Sequence, residues 1–234
     1  MPEQIISIAE NLTRIRERIA RSAERVGRRP NEIALVAVSK TFPAEAARAA
    51  YDAGLREFGE NRVQEFEAKH AQLADLDATW HLIGHLQSNK AKRAAQLFSR
   101  VDSMDSLALA QKLDLAADDQ EKRLPVLIEV HLSGESTKSG VSEADLPGLA
   151  QAVLALAHLD LRGLMTVPPY SDDAEQVRPY FRKLRELREQ LSQRLGRPLP
   201  TLSMGMSHDF EVAIEEGATE IRLGTALFGR RSAL

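Results

Sequence analysis

Along this chain short apolar segments of strand length alternate with longer amphipathic ones, about eight times over, and no other feature restricts the fold so tightly. IALVAVS (33–39) is continuous, apolar and rich in β-branched residues, the pattern of a strand buried on both faces. Pro43 follows at a helix start, and AEAARAAYDAG runs from there to Gly54. Further strands are predicted at 56–60, 79–84, 98–103, 124–132, 159–167, 201–205 and 219–224. Between them the spacing predicts helices over 61–74, 88–97, 106–118, 143–157, 173–195 and 209–216, with a short helix at the end. The helix at 106–118 has an expected apolar face of Leu107, Leu109, Leu113 and Leu115. Ahead of the first strand, Ile5, Ile8, Leu12, Ile15 and Ile19 mark one face of an extra N-terminal helix that ends near Gly27.

Strict alternation requires a mostly parallel sheet, because each helical crossover returns the chain to the same end. Eight such units in 234 residues is the usual size of a (β/α)8 TIM-type barrel. An open doubly wound sheet is the alternative, since periodicity does not see closure. No linker or shift in composition divides the chain, so residues 1–234 are expected to form a single α/β domain.

Composition narrows the setting. Cys is absent, which removes disulfides, thiolate metal sites and thiol nucleophiles and suits a reducing cytoplasm. The net charge of −3, from 31 basic and 34 acidic residues, argues against a nucleic-acid partner. The N-terminus MPEQIISIAENL has neither the basic start nor the apolar centre of a signal peptide, and no apolar run approaches the ~18 residues of a membrane span. A soluble, cytoplasmic protein is expected.

In a barrel of this kind chemistry belongs at the C-terminal ends of the strands. Strand one ends in Ser39-Lys40, which puts the Lys40 amine at the mouth. Partial burial there favours the neutral amine, the form that attacks an aldehyde. The alternative is a lysine that snorkels into solvent. Strand eight ends in Gly224-Thr225 before a short helix, where backbone N–H groups and a hydroxyl form an anion site, and Ser207 at the end of strand seven lies beside it. Gly224 as a simple turn and Ser207 as an N-cap for the helix at 209–216 are the plainer readings. An amine on strand one and an anion cradle on strands seven and eight are neighbours in a closed barrel, and they match the two ends of pyridoxal 5′-phosphate (PLP). Arg222, two residues before Gly224, points the same way by strand alternation. Facing the pyridine nitrogen it donates a hydrogen bond without giving up a proton, leaving a weak electron sink; an ordinary ion-pairing role is the alternative. His81 and His85 lie on a strand running into a loop, where four residues span about 13 Å, so no metal is expected.

The motifs AVSKTFP (37–43), FGENRVQE (58–65), WHLIGHLQSNK (80–90), SGESTKSG (133–140), GLMTVPP (163–169), LSMGMSHDFEVAI (202–214) and IRLGTALFGRR (221–231) run in order along the chain. Together they resemble the YggS/PROSC family of pyridoxal phosphate homeostasis proteins. The resemblance implies a barrel similar to the N-terminal domain of alanine racemase, with PLP as a Schiff base on Lys40. It further implies that Asn61 lies near the cofactor, that Ser207, Gly224 and Thr225 hold its phosphate, and that Arg222 meets the pyridine nitrogen. Met206 is counted with the cofactor-binding residues, and Lys138 matches a second lysine associated with handling PLP. His131 departs from the more usual Asn. The implied function is vitamin B6 homeostasis by a carrier or regulator, with apo PLP-dependent enzymes as transient partners and no catalytic residue assigned. A weak amino-acid racemase is the alternative. Racemases of this type carry a C-terminal β domain and a Tyr from across a dimer; the chain stops about ten residues after strand eight, so a monomeric binding protein is expected.

Overall fold

A computed structural model of the protein describes residues 7–132 and 139–229. Eight parallel strands close into a barrel, each hydrogen-bonded to the next in sequence, with β8 returning to β1. They are β1 Ala34–Val38, β2 Glu57–Glu60, β3 Thr79–Leu82, β4 Arg100–Met104, β5 Leu124–Glu129, β6 Leu159–Met165, β7 Thr201–Ser203 and β8 Glu220–Leu223. Closure is made by Ala34↔Glu220 through Ala37↔Leu223, while β1 pairs on its other side with β2 at Ala37↔Phe58 and Val38↔Gly59. The open-sheet alternative is excluded.

The surrounding helices are α1 Ile8–Arg25, α2 Ala44–Asp52, α3 Val63–His70, α4 Ala91–Leu97, α5 Leu107–Asp118, α6 Leu146–Leu154, α7 Arg178–Leu195, α8 Phe210–Glu215 and α9 Thr225–Phe228. The extra helix α1 opens with a capping box, in which the Ser7 hydroxyl accepts from Glu10 N–H and Glu10 accepts from Ser7 N–H. Its stripe Leu12, Ile15 and Ile19 is buried, whereas Ile5 lies outside the described residues. Arg18 on the same helix makes a two-point bond to Glu211 on α8, at 3.1 and 2.8 Å, and lies over the Phe210 ring.

Three expectations need correction. The predicted helix at 173–195 is two pieces, a 3-10 turn at Ala174–Val177 and then α7. Pro179 has no N–H to return to residue 175, so an α-helix cannot run through that point and starts afresh. Leu107 and Leu115 are exposed rather than part of the buried face of α5, which is Leu109, Ala110, Leu113, Ala116 and Ala117. Residues two apart on a helix diverge by about 200°, so 107 and 109, or 113 and 115, do not share a face. The fifth strand ends at Glu129 rather than 132: Val130 still donates to the Met165 carbonyl of β6, but it and His131 turn to bridge Val141 in the loop that follows.

No helix among the described residues is long and apolar enough to cross a membrane.

Candidate functional site

The C-terminal mouth of the barrel encloses a cavity of about 610 Å³, within the range of small-molecule sites. Lys40, Asn61, Met206, Ser207, Arg222, Gly224 and Thr225 all line it. Residues as far apart in sequence as Lys40 and Thr225, 185 positions, meet there because β8 returns to β1. Lys138 lies outside the described residues, as does the rest of 133–138.

The anion-binding candidates are assembled by two turns. After β7 the backbone must swing sharply at Gly205, whose φ of +95° favours glycine; a Cβ there would also lie 2.6 Å from that of Ala213. The turn is fastened by Asp209, whose carboxylate accepts the Met206 N–H at 2.5 Å. Asp209, not Ser207, occupies the N-cap position of α8. The Ser207 hydroxyl instead accepts the N–H of Ala226 at 3.1 Å, tying the β7 turn to the start of α9. That leaves its own proton directed by whatever else enters the cavity. Gly224 precedes α9 and Thr225 is its first residue. Asn11 on α1 holds the far end of α9 by donating to the Leu227 carbonyl at 2.9 Å. The N-terminal helix therefore braces the element that carries Thr225.

Arg222 is 4% exposed, and it donates to the Ser203 hydroxyl at 2.6 Å and the Thr166 carbonyl at 2.9 Å. These neutral partners, rather than a carboxylate, make the direct contacts. Burial lowers its pKa, while Glu220, Asp102, Glu129 and Asp209 act at longer range in the opposite sense. Guanidinium retains its charge under such pressures. Strand alternation directs it into the cavity as expected.

Sequence reasoning missed Glu129, His85 and His208, which also line the cavity. Glu129 is buried, and desolvation raises its pKa against the lowering influence of Arg222. A carboxylate within the apolar run LPVLIEV was a signal available in sequence, obscured by placing the strand end three residues later. Gly84 matters for another reason: a Cβ there would come within 2.5 Å of the Asn61 carbonyl, so its absence lets the β3 loop close against Asn61.

Below the mouth the barrel interior is charged. Arg100 on β4 donates to Asp102 at 2.5 and 2.8 Å and reaches Glu220 on β8 at 2.6 Å. β4 and β8 stand on opposite sides of an eight-stranded barrel, so these side chains meet through its centre. His81, pointing into the same layer, bonds Glu57 at 2.6 Å and faces Asp102 at 3.5 Å. Burial opposes charge on the ring, but the two carboxylates outweigh it and raise the His81 pKa to about 9. Ligand atoms of His81, Asp102 and Glu220 lie within 4.8 Å of one another, a spacing that suits an ion. The Arg100 guanidinium already bonds both carboxylates. His85 is at the mouth instead, beside Asp105 at 3.6 Å.

The alanine racemase N-terminal domain family matches residues 10–232. A pyridoxal phosphate homeostasis protein of Aquifex aeolicus is 49% identical over 226 residues, covering 97% of this chain and 99% of that protein. Its counterpart in Pseudomonas aeruginosa is 49% identical over 225 residues and 96% of each chain. Among solved structures, PipY of Synechococcus elongatus PCC7942 with PLP bound is 41% identical, superimposes with a TM-score of 0.86, and is matched over 95% of this chain and all of that one.

Proposed function

The chain belongs to the family of pyridoxal phosphate homeostasis proteins, within the alanine racemase N-terminal domain family, and from that membership we propose that it holds PLP in the mouth cavity and serves as an intracellular carrier or regulator of the cofactor. The observation that carries this reading is the convergence of an amine, a buried guanidinium and a hydroxyl-rich double turn on one cavity. When bound, the cofactor supplies an aldehyde that condenses with a neutral amine and loses water, and Lys40 is the proposed partner in that Schiff base. Ser207, Gly224 and Thr225 hold the phosphate, with Met206 and Asn61 alongside. Arg222, fixed by Ser203 and Thr166, donates to the pyridine nitrogen without protonating it. Lys138 is the proposed second PLP-handling lysine.

Binding without efficient turnover fits this residue set. Two-base racemisation needs an acid/base group on each face of the cofactor. The tyrosines Tyr51, Tyr170 and Tyr180 are not among the cavity-lining residues, and Tyr170 turns its hydroxyl to Asp172 at 2.8 Å. Arg222 also leaves the ring a weak electron sink. A weak amino-acid racemase is the second reading, favoured by Glu129, a buried carboxyl within the cavity. The carrier reading has the chain act in the cytoplasm as a monomer and pass PLP to apo-enzymes.

The absorption spectrum of the protein with added PLP, wild type against Lys40→Ala, tests the attachment. A yellow band found in wild type alone, and fixed covalently by borohydride, is expected. Identical spectra would remove Lys40 as the attachment point. Racemisation of D-alanine at rates typical of dedicated enzymes would sink the carrier reading, as would transfer of bound PLP to an apo-acceptor no faster than its spontaneous release.

A further inference from the structure

Lys40 occupies an unusual piece of backbone. It is the second residue of a tight turn, 39–42, closed by the Phe42 N–H donating to the Ser39 carbonyl at 3.1 Å. The third residue, Thr41, has φ of +65°. Left-handed backbone is disfavoured for L-residues and more so for a β-branched one, so the turn requires outside support.

That support comes from α3. Glu65 and Lys69 are one helical turn apart and project from one face. The Glu65 carboxylate accepts the N–H of Thr41 itself. The Lys69 ammonium donates to the Ser39 carbonyl at 2.9 Å and the Phe42 carbonyl at 3.1 Å, the two ends of the same turn. Its third bond is to Glu60, at 2.7 Å, and Glu60 also accepts the Ser39 hydroxyl at 2.6 Å. All three ammonium protons are used, two of them on the turn that carries Lys40.

We propose that α3 is a clamp on the Lys40 turn, with Glu65 and Lys69 as positioning residues that hold Thr41 in its left-handed conformation and so set how readily the Lys40 amine joins the cofactor. This rests on the proposed Schiff base at Lys40 and specifies what prepares that lysine. Glu60 anchors the clamp from the end of β2, the same strand end that leads to Asn61.

Lys69→Met would strand Glu60 in the interior and endanger folding, so the test uses the half-buried Glu65 and the exposed Thr41. Glu65→Ala is expected to slow growth of the yellow band about tenfold, the scale of one strained residue released, and to reduce the visible circular dichroism per bound PLP. Thermal unfolding confirms that the variant is folded. Thr41→Gly added to Glu65→Ala should restore the rate to within about twofold, because glycine adopts positive φ without the penalty. A structural role for Glu65 elsewhere would not be rescued by a glycine at position 41. Wild-type band growth and dichroism in Glu65→Ala, or a double variant no faster than Glu65→Ala, overturns the clamp. Lys40→Ala is run in parallel: if borohydride fixes as much PLP to it as to wild type, the attachment reading fails independently of what Glu65 does.

Discussion

Arg222 donates to the Ser203 hydroxyl at 2.6 Å across the β7–β8 pair, so the guanidinium is fixed by the strand next to its own before any ligand arrives. Ser203→Ala leaves a buried charged donor short of a partner, a cost of about 1–3 kcal/mol. The expected result is a lower thermal midpoint together with a PLP affinity weakened several-fold. Equilibrium dialysis at an unchanged Kd would show that the orientation of Arg222 does not govern binding.

The hydroxyls at the β7 and β8 turns give a sharper test, because the phosphate is the one part of PLP they are proposed to touch. Ser207→Ala also removes the acceptor for the Ala226 N–H. PLP affinity is expected to fall by about tenfold or more, roughly 1.4 kcal/mol and upward. Pyridoxal, which lacks the phosphate, should bind both proteins alike. Equal losses for the two ligands would place Ser207 in the architecture of the cavity instead.

His81 predicts a pH dependence of stability. It faces Glu57 on β2 and Asp102 on β4, with Arg100 and Glu220 in the same buried layer. Its folded pKa, about 9, lies above the ordinary histidine value of 6.5. The stabilisation is therefore complete below pH 6.5 and is lost as pH rises through about 9, an amount on the order of 3 kcal/mol. Urea midpoints measured across that window should decline in wild type. In His81→Gln the protein starts less stable and the slope flattens; an equally steep slope in the variant would assign the titration to another group.

Gly205→Ala combines a disfavoured positive φ with a clash against Ala213. The backbone term alone is about 1–3 kcal/mol. Reduced thermal stability and weaker PLP binding should appear together, since the same turn delivers Met206 and Ser207. A variant with wild-type melting would mean that the turn relaxes freely.

Much of this protein was legible along the chain. IALVAVS and LPVLIEVHL were visible as apolar runs, the pattern of a strand covered on both faces, while charged segments such as REFGE and FSRVDS were placed by the repeating alternation of strand and helix. Lys40, Ser207, Arg222, Gly224 and Thr225 were legible at the mouth because strand ends define it and alternation in steps of two directs Arg222 and Gly224 the same way, whereas Asn61 and Met206 came in with the family resemblance. Local patterns carry such information because they depend on neighbours a few residues away.

Periodicity left an open sheet as the alternative to the expected closed barrel, and the charged interior and the grip on Lys40 were not legible, since each joins residues distant in sequence. The pairing of Ala34 with Glu220 makes one cavity from two chain ends, and no periodicity distinguishes it from an open edge. Arg100 and Glu220, 120 positions apart, look like surface charges until the barrel brings them through its centre. Lys69 reads as a solvated helix residue, yet it is buried with all its protons committed to Glu60, Ser39 and Phe42. Chain chemistry places a lysine at the end of a strand; the packing of α3 against that end determines the backbone from which its amine works.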